Sequence, residues 1–124
     1  AGVVLQGTVV EVDPTWQLVK IECSGGNLWV AGEGNQLHKK VRVQVLARDV
    51  SLALSVHEDS SILNRVAVEV VAIAEESHLP VILVRLKLGD DFMVARLTRK
   101  SCHQLQLSVG DQVWAQIKSA AIVR

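Results

Sequence analysis

The sequence predicts an all-β protein made of two small barrels in tandem, the second of which carries one short helix. Three observations support this fold class. Apolar and polar residues alternate along most of the chain, turn-forming residues recur between the alternating runs, and the second half repeats the pattern of the first. Apolar residues make up 49% of the 124 residues, so the chain has enough apolar side chains to bury a core.

Four strands are predicted in the first half from their alternation and their β-branched residues. The last of them shows the pattern most clearly, because Val41, Val43 and Val45 share one face while Arg42 and Gln44 share the other. The predicted strands cover residues 7–12, 18–23, 28–30 and 41–46.

Four further strands and one helix are predicted in the second half. Thr98 is a residue type that caps helices, and residues 99–105 contain no Gly, no Pro and no strand-like alternation. Gly110 then opens the turn into the last strand. The predicted strands cover residues 66–73, 81–88, 92–97 and 113–117.

The two halves of the chain form a repeat. Three segments of the first half resemble three of the second in the same order, namely 7–12 and 68–73, 25–31 and 89–95, and 41–45 and 113–117. A duplicated five-strand unit of this kind predicts two tandem OB-like barrels. The polar stretch at 57–61 predicts the boundary between them, with a structural barrel at 1–57 and a site-bearing barrel at 58–124.

Composition excludes several functional classes. Thirteen basic and thirteen acidic residues give zero net charge, which argues against nucleic-acid binding and against attachment to anionic membranes. No apolar run approaches the roughly 18 residues of a membrane span. Cys23 and Cys102 are too few for a disulfide framework, which predicts a cytoplasmic protein. The chain starts at Ala1 rather than Met, which suggests a piece of a longer polypeptide.

Signatures of catalysis are missing from the sequence. It contains no phosphate-binding glycine loop and no nucleophile elbow, and its four histidines lack the spacing of metal ligands. The pair Ser77-His78 has no third catalytic partner, and Glu75-Glu76 is better explained as a solvated hairpin than as an acid–base pair. The sequence therefore predicts a binding protein rather than an enzyme.

The three tryptophans allow two interpretations. Trp16, Trp29 and Trp114 could stack nucleobases, as aromatic residues do on many OB barrels. They lie on different segments without a basic stripe beside them, which favours packing in the core or at a subunit contact.

Hydrogen-bond donors are concentrated in the second half. A tetrahedral dianion accepts hydrogen bonds and donates none, so its site needs hydroxyls, N–H groups and one or two cations. Six residues fit this requirement in the connector, at the helix start and after the last strand: Ser61, Asn64, Thr98, Ser101, Lys118 and Ser119. A purely structural interpretation stays open, since Thr98 could only cap the helix and Lys118 could be a solvated strand-end residue.

The segments 60–64, 95–101 and 113–119 resemble the Mop domain, a molybdate-binding domain of the TOBE class. The whole chain resembles the C-terminal accessory region of the ATP-binding subunit of molybdate ABC importers. This resemblance implies a pair of OB-like barrels that form a homodimer and hold molybdate or tungstate where subunits meet. It implies no further cofactor, no catalysis, no nucleic-acid partner and no membrane insertion.

The resemblance also assigns roles. Ser61 would be a connector hydroxyl, Thr98 and Ser101 the helix-start donors, and Lys118 and Ser119 the strand-end donors. The implied partners are an ATPase domain and a membrane permease, at the inner face of the membrane, and the implied role is regulation of transport. A purely structural dimerisation module and a stand-alone molybdate storage protein remain as alternatives.

One position departs from the family pattern. Where stand-alone Mop proteins usually read Ser-Ala-Arg-Asn, this chain reads Ser-Ile-Leu-Asn, so Leu63 replaces an arginine. The lost guanidinium predicts weaker anion binding unless Arg96, Arg99 or Lys100 substitutes for it. Importer ATPases often share the variation, which favours that assignment over a storage protein.

Overall fold

A computed structural model of the chain describes residues 1–74 and 79–123. Ten strands and one α-helix make up the fold: β1 (Gly2–Asp13), β2 (Leu18–Cys23), β3 (Gly26–Ala31), β4 (Lys40–Leu46), β5 (Val50–Ala53), β6 (Asn64–Ala74), β7 (Val81–Leu88), β8 (Asp91–Thr98), α1 (Arg99–Leu105), β9 (Gln112–Ile117) and β10 (Ala121–Val123). Single turns of 3-10 helix lie at Gly34–Gln36 and Ala47–Asp49. The interpretations of Glu75-Glu76 and Ser77-His78 concern residues outside the described part of the chain.

All eight predicted strands are present, and the helix covers the predicted residues 99–105. Thr98 caps this helix, as predicted, by accepting a hydrogen bond from the backbone N–H of Ser101. Sequence analysis missed β5 and β10. These strands have four and three residues, too few for an alternating pattern to stand out.

The strands form two five-stranded antiparallel sheets, which confirms the predicted all-β class with two OB-like units. The first has the order β10-β4-β1-β2-β3 and the second β5-β9-β6-β7-β8. Each half donates one short strand to the other sheet, because β5 pairs with β9 and β10 pairs with β4. Along the chain, the first sheet therefore gives way to the second between β4 and β5, and not at residues 57 and 58, where the sequence predicts the boundary. The exchanged strands cover sheet edges that would otherwise stay open.

The structure repeats the same irregularity in both halves. A bulge interrupts β1 between Val9 and Glu11 and another interrupts β6 between Val70 and Ala72, which are equivalent positions of the repeat. At the first bulge, the carbonyl of Val9 accepts from the N–H of His38 at 2.8 Å. At the second, the carbonyl of Val70 accepts from the N–H of Gly110 at 2.7 Å. Such matched details support duplication of one unit.

The inward faces of both sheets form one continuous apolar core. The most deeply buried side chains come from strands of both halves, with Val9 and Ile21 in the first sheet and Leu86 and Met93 in the second. Because the sheets share this core, neither unit buries its apolar face independently of the other.

Two glycine turns pack backbone to backbone where the halves meet. Gly25 and Gly89 occupy equivalent positions of the repeat and have φ values of +82° and +58°. A Cβ on Gly25 would lie 2.4 Å from the backbone N of Gly89, so no side chain fits there. A hydrogen bond stabilises this contact, because the hydroxyl of Ser24 accepts from the N–H of Asp90 at 2.8 Å.

No helix among residues 1–74 and 79–123 is long and apolar enough to cross a membrane.

Candidate oxyanion site

The predicted donors fall into two sets, of which the first lies at the turn from β8 into α1. The hydroxyl of Thr98 donates to Ser101 Oγ at 2.9 Å and accepts from the Ser101 N–H at 3.0 Å. The structural role of Thr98 as a cap is therefore present. Since Ser101 Oγ accepts from Thr98, its own proton is available to another acceptor.

The second set lies where β6 begins and β9 ends. Asn64, the first residue of β6, pairs with Ile117, the last residue of β9, and Lys118 and Ser119 follow directly. Both of these side chains are exposed. The backbone N–H of Lys118 donates to the carbonyl of Asp49 at 2.8 Å, which fixes the chain as it leaves the sheet. The strand end thus presents an ammonium group and a hydroxyl to solvent.

Asn64 is the buried polar residue of this region. Its Oδ1 accepts from the Trp29 N–H at 2.8 Å, and its Nδ2 donates to the Trp29 carbonyl at 2.8 Å. The side-chain amide therefore makes the two backbone hydrogen bonds that a neighbouring strand would make to Trp29, and in this way it links β6 to β3. Asn64 directs its amide into the fold and anchors the connector beside Lys118.

The connector before β6 carries two exposed serines. Ser60 Oγ accepts from the Ile62 N–H at 3.3 Å and from Arg65 Nη2 at 2.8 Å, and Ser61 is its exposed neighbour. Sequence analysis did not single out Arg65. The available signal was its position two residues after Leu63, because residues two apart on a strand share a face.

The pairing register separates the two donor sets within one chain. Lys118 follows the residue that pairs with the first residue of β6. Thr98 instead pairs with Val81, the first residue of β7, which lies beside the other end of β6. The described contacts therefore hold Thr98 with Ser101, whereas Lys118 lies one residue beyond Ile117, the partner of Asn64.

The predicted substitutes for the missing guanidinium lie with the first set. Arg96 is exposed on β8 opposite Leu83. Arg99 and Lys100 open α1 and line a surface pocket together with His103. These cations add positive charge around Thr98 and Ser101.

The tryptophans are not core residues. Trp16 is 73% exposed in the turn between β1 and β2, where its N–H donates to Asp13 Oδ1 at 3.2 Å. Trp29 and Trp114 are half-buried. Trp16 does not pack in the core, because a two-strand hairpin tip offers no interior, and the alternative of a subunit contact stays a prediction. Trp16, Trp29 and the 64% exposed Leu63 instead line an apolar pocket beside the connector.

Neither cysteine belongs to a disulfide. Both are buried thiols, and no three His, Cys, Asp or Glu side chains of residues 1–74 and 79–123 come together as metal ligands. Burial, and secondarily the carboxylate of Asp91, raises the pKa of the Cys23 thiol from 9.0 to about 11. Cys23 is therefore a poor nucleophile at neutral pH.

Comparison with known proteins identifies the class. The model of the TOBE domain matches residues 60–123, more than half of the chain, so the chain belongs to the TOBE domain family. Members of this family are binding domains without catalysis, and the chain is one of them.

Individual relatives show which known proteins the chain resembles. The chain is 45% identical over 123 residues to the molybdenum import ATP-binding protein ModC of Saccharophagus degradans, and 45% identical over 122 residues to that of Thiobacillus denitrificans. Each match covers 98% of this chain but 34% of the relative, so the chain spans about a third of their length. The crystal structure of the cytoplasmic molybdate-binding protein ModG with molybdate bound has the same fold, with a TM-score of 0.81 at 22% identity. That match covers 98% of this chain and 93% of ModG.

Proposed function

We propose that this chain binds molybdate or tungstate as the regulatory domain of a molybdate importer's ATP-binding subunit. The observation that carries the proposal is the set of exposed donors at one end of β6 and β9, where Lys118 and Ser119 follow the last residue of β9 and Ser61 precedes the start of β6. The relatives support the ligand, since the ModC proteins are named for molybdenum import and ModG for molybdate binding. No cofactor is needed, because the oxyanion itself is the ligand.

The donor chemistry suits a doubly charged tetrahedral anion. Lys118 supplies one positive charge, while Ser61 and Ser119 supply hydroxyl protons without adding charge. Asn64 supports the site from behind, because its two bonds to the Trp29 backbone hold the start of β6 in place.

A complete site requires both donor sets, and we infer that two copies of the chain provide them. Thr98 and Ser101 of one copy would face Lys118 and Ser119 of the other. A second copy would also exclude water from the exposed strand end, which strengthens each hydrogen bond to the anion. Anion binding would then stabilise the dimer, since a ligand that bridges two chains favours their association.

Regulation follows from this linkage. A dimer that tightens when molybdate is abundant can hold two ATPase domains in one relative position and so restrain transport. The partners in this proposal are the ATPase domain and the membrane permease, at the cytoplasmic face of the membrane. The 34% coverage of the ModC relatives supports a domain that works within a longer subunit.

Calorimetric titration with molybdate tests the proposal directly. Molybdate is expected to bind the chain, and Lys118→Ala is expected to weaken binding at least about tenfold, because one charge-assisted bond is lost. Lys39→Ala removes an exposed lysine of the first half and should leave the affinity unchanged. Sulfate serves as the competing anion, and absence of heat with molybdate at millimolar concentration would refute the binding function.

A purely structural dimerisation module is the second candidate. The apolar pocket formed by Trp16, Trp29 and the exposed Leu63 favours it, since exposed apolar surface beside the connector suits a subunit contact. Light scattering separates the two functions. Under the structural alternative, the fraction of dimer does not respond to molybdate or to Lys118→Ala.

A further inference from the structure

The guanidinium of Arg65 has an incomplete set of hydrogen bonds. Arg65 is half-buried, and its Nη2 donates to Ser60 Oγ at 2.8 Å. Its Nε is buried, and within residues 1–74 and 79–123 no acceptor lies within hydrogen-bond reach of that atom. A buried donor on a charged group is unfavourable without an acceptor, so the described residues satisfy this guanidinium only in part.

The strand pattern shows where this guanidinium lies. Arg65 alternates with the buried residues Asn64 and Val66, so it extends from the outer face of the sheet. Its side chain runs back toward the connector, because its Nη2 contacts Ser60. The positive charge therefore lies near the start of β6, although Arg65 itself is the second residue of the strand.

A second cation borders the same place. Lys118 directly follows Ile117, the residue that pairs with Asn64, and Arg65 directly follows Asn64. Arg65 and Lys118 therefore lie at the same end of β6 and β9, where Lys118 is exposed. Two positive charges at one end of the sheet favour an anionic ligand there.

Ser60 adds a proton to this arrangement. Its oxygen already accepts from the Ile62 N–H and from Arg65 Nη2. A hydroxyl that accepts twice directs its own proton to a different acceptor. Arg65 and Ser60 can therefore donate a guanidinium N–H and a hydroxyl proton to one nearby acceptor.

We propose that Arg65, positioned by Ser60, binds the tetrahedral oxyanion directly and supplies the guanidinium that residue 63 does not. This inference rests on the proposed function and names a further residue of that site. The ligand class is a dianionic tetrahedral oxyanion, bound by charge-assisted bonds from the N–H groups at the end of the guanidinium that do not contact Ser60.

Molybdate titration of four variants tests the assignment. Arg65→Gln is expected to weaken molybdate binding at least about tenfold, and Arg65→Lys is expected to be intermediate, because the charge remains but the planar fork is lost. Adding Leu63→Arg to Arg65→Gln should restore most of the affinity, since a guanidinium returns near the start of β6. Arg42→Gln removes an exposed arginine of β4, in the other sheet, and should bind like the parent chain.

The outcomes separate the inference from the function on which it rests. If the parent chain fails to bind molybdate, both are refuted. If the parent binds and Arg65→Gln binds equally well, or if Arg42→Gln loses as much affinity, only the role of Arg65 is overturned. Circular dichroism and urea unfolding check each variant. Should Arg65→Gln not fold, Arg65→Lys and Ser60→Ala decide, and unchanged affinity in both overturns the assignment.

Discussion

Asn64 illustrates how a residue near a binding site can serve the fold. Its amide makes two 2.8 Å hydrogen bonds to the backbone of Trp29 and is 7% exposed. A backbone N–H and carbonyl of β3 therefore depend on this one side chain. The connector that carries Ser61 depends on it too, because Asn64 is where the connector joins β6.

Asn64→Ala is expected to lower the free energy of unfolding by about 2 to 4 kcal/mol, because it leaves two backbone groups of Trp29 without partners. Urea unfolding measures the change. Asn27→Ala, which removes an exposed asparagine of β3, is the matched control and should cost well under 1 kcal/mol. A small loss for Asn64→Ala would contradict the structural role described for its amide.

Cys23 makes stability depend on pH in the alkaline range. The folded pKa of about 11 lies above the ordinary value of 9.0, so the folded state keeps its proton while the unfolded state loses it. The free energy of unfolding should therefore be unaffected by this thiol below about pH 9 and should fall between about pH 9 and 11. Urea unfolding of the parent chain and of Cys23→Ala checks this. The variant should show a shallower decline, and parallel profiles would contradict the shift.

At the residue scale, the sequence predicts best those features whose cause lies in neighbouring residues of the chain. The cap at Thr98 was predictable because an N-cap needs only a suitable side chain before a short helical run. The contact between Arg65 and Ser60 was not predictable, because it requires knowing how the connector bends back along the strand. The six predicted donors remain a proposal, and the structure divides them into two sets.

At the scale of elements, the eight longer strands follow from alternation because each has one buried face. The partners of the strands do not follow from it. β5 and β10 pair with strands of the opposite half, and no local pattern encodes such an exchange. The repeat visible in the sequence is nevertheless reproduced in the two bulges and in the two glycine turns.

The turn contact gives a prediction for the element scale. Gly25→Ala should lower the free energy of unfolding by more than about 2 kcal/mol, because it combines an unfavourable positive φ with a clash against the backbone of Gly89. Gly110→Ala is the matched control, since Gly110 has a φ of +98° but nothing within 4 Å of an added Cβ. Thermal unfolding compares them. Equal losses would mean that the close approach of the two turns contributes nothing.

At the scale of the whole molecule, the shared core and the exchanged strands make one rigid support for donors on different strands. A single chain presents one set at the start of α1 and another at the end of β9. Separate sets on a rigid support suit a ligand that binds between copies, because neither set has to move. The exposed apolar pocket at Trp16 and Leu63 lies beside the second set, and a second copy would cover it in the proposed dimer.

A crystal of the chain soaked in tungstate would show where the anion binds, because tungsten scatters X-rays strongly enough to be located without prior assumptions. We expect a tungsten site between two copies of the chain. Its oxygens should lie within hydrogen-bond distance of Lys118 and Ser119 of one copy and of Thr98 and Ser101 of the other. A tungsten site that contacts only one set, or crystals that show no site at all, would contradict it.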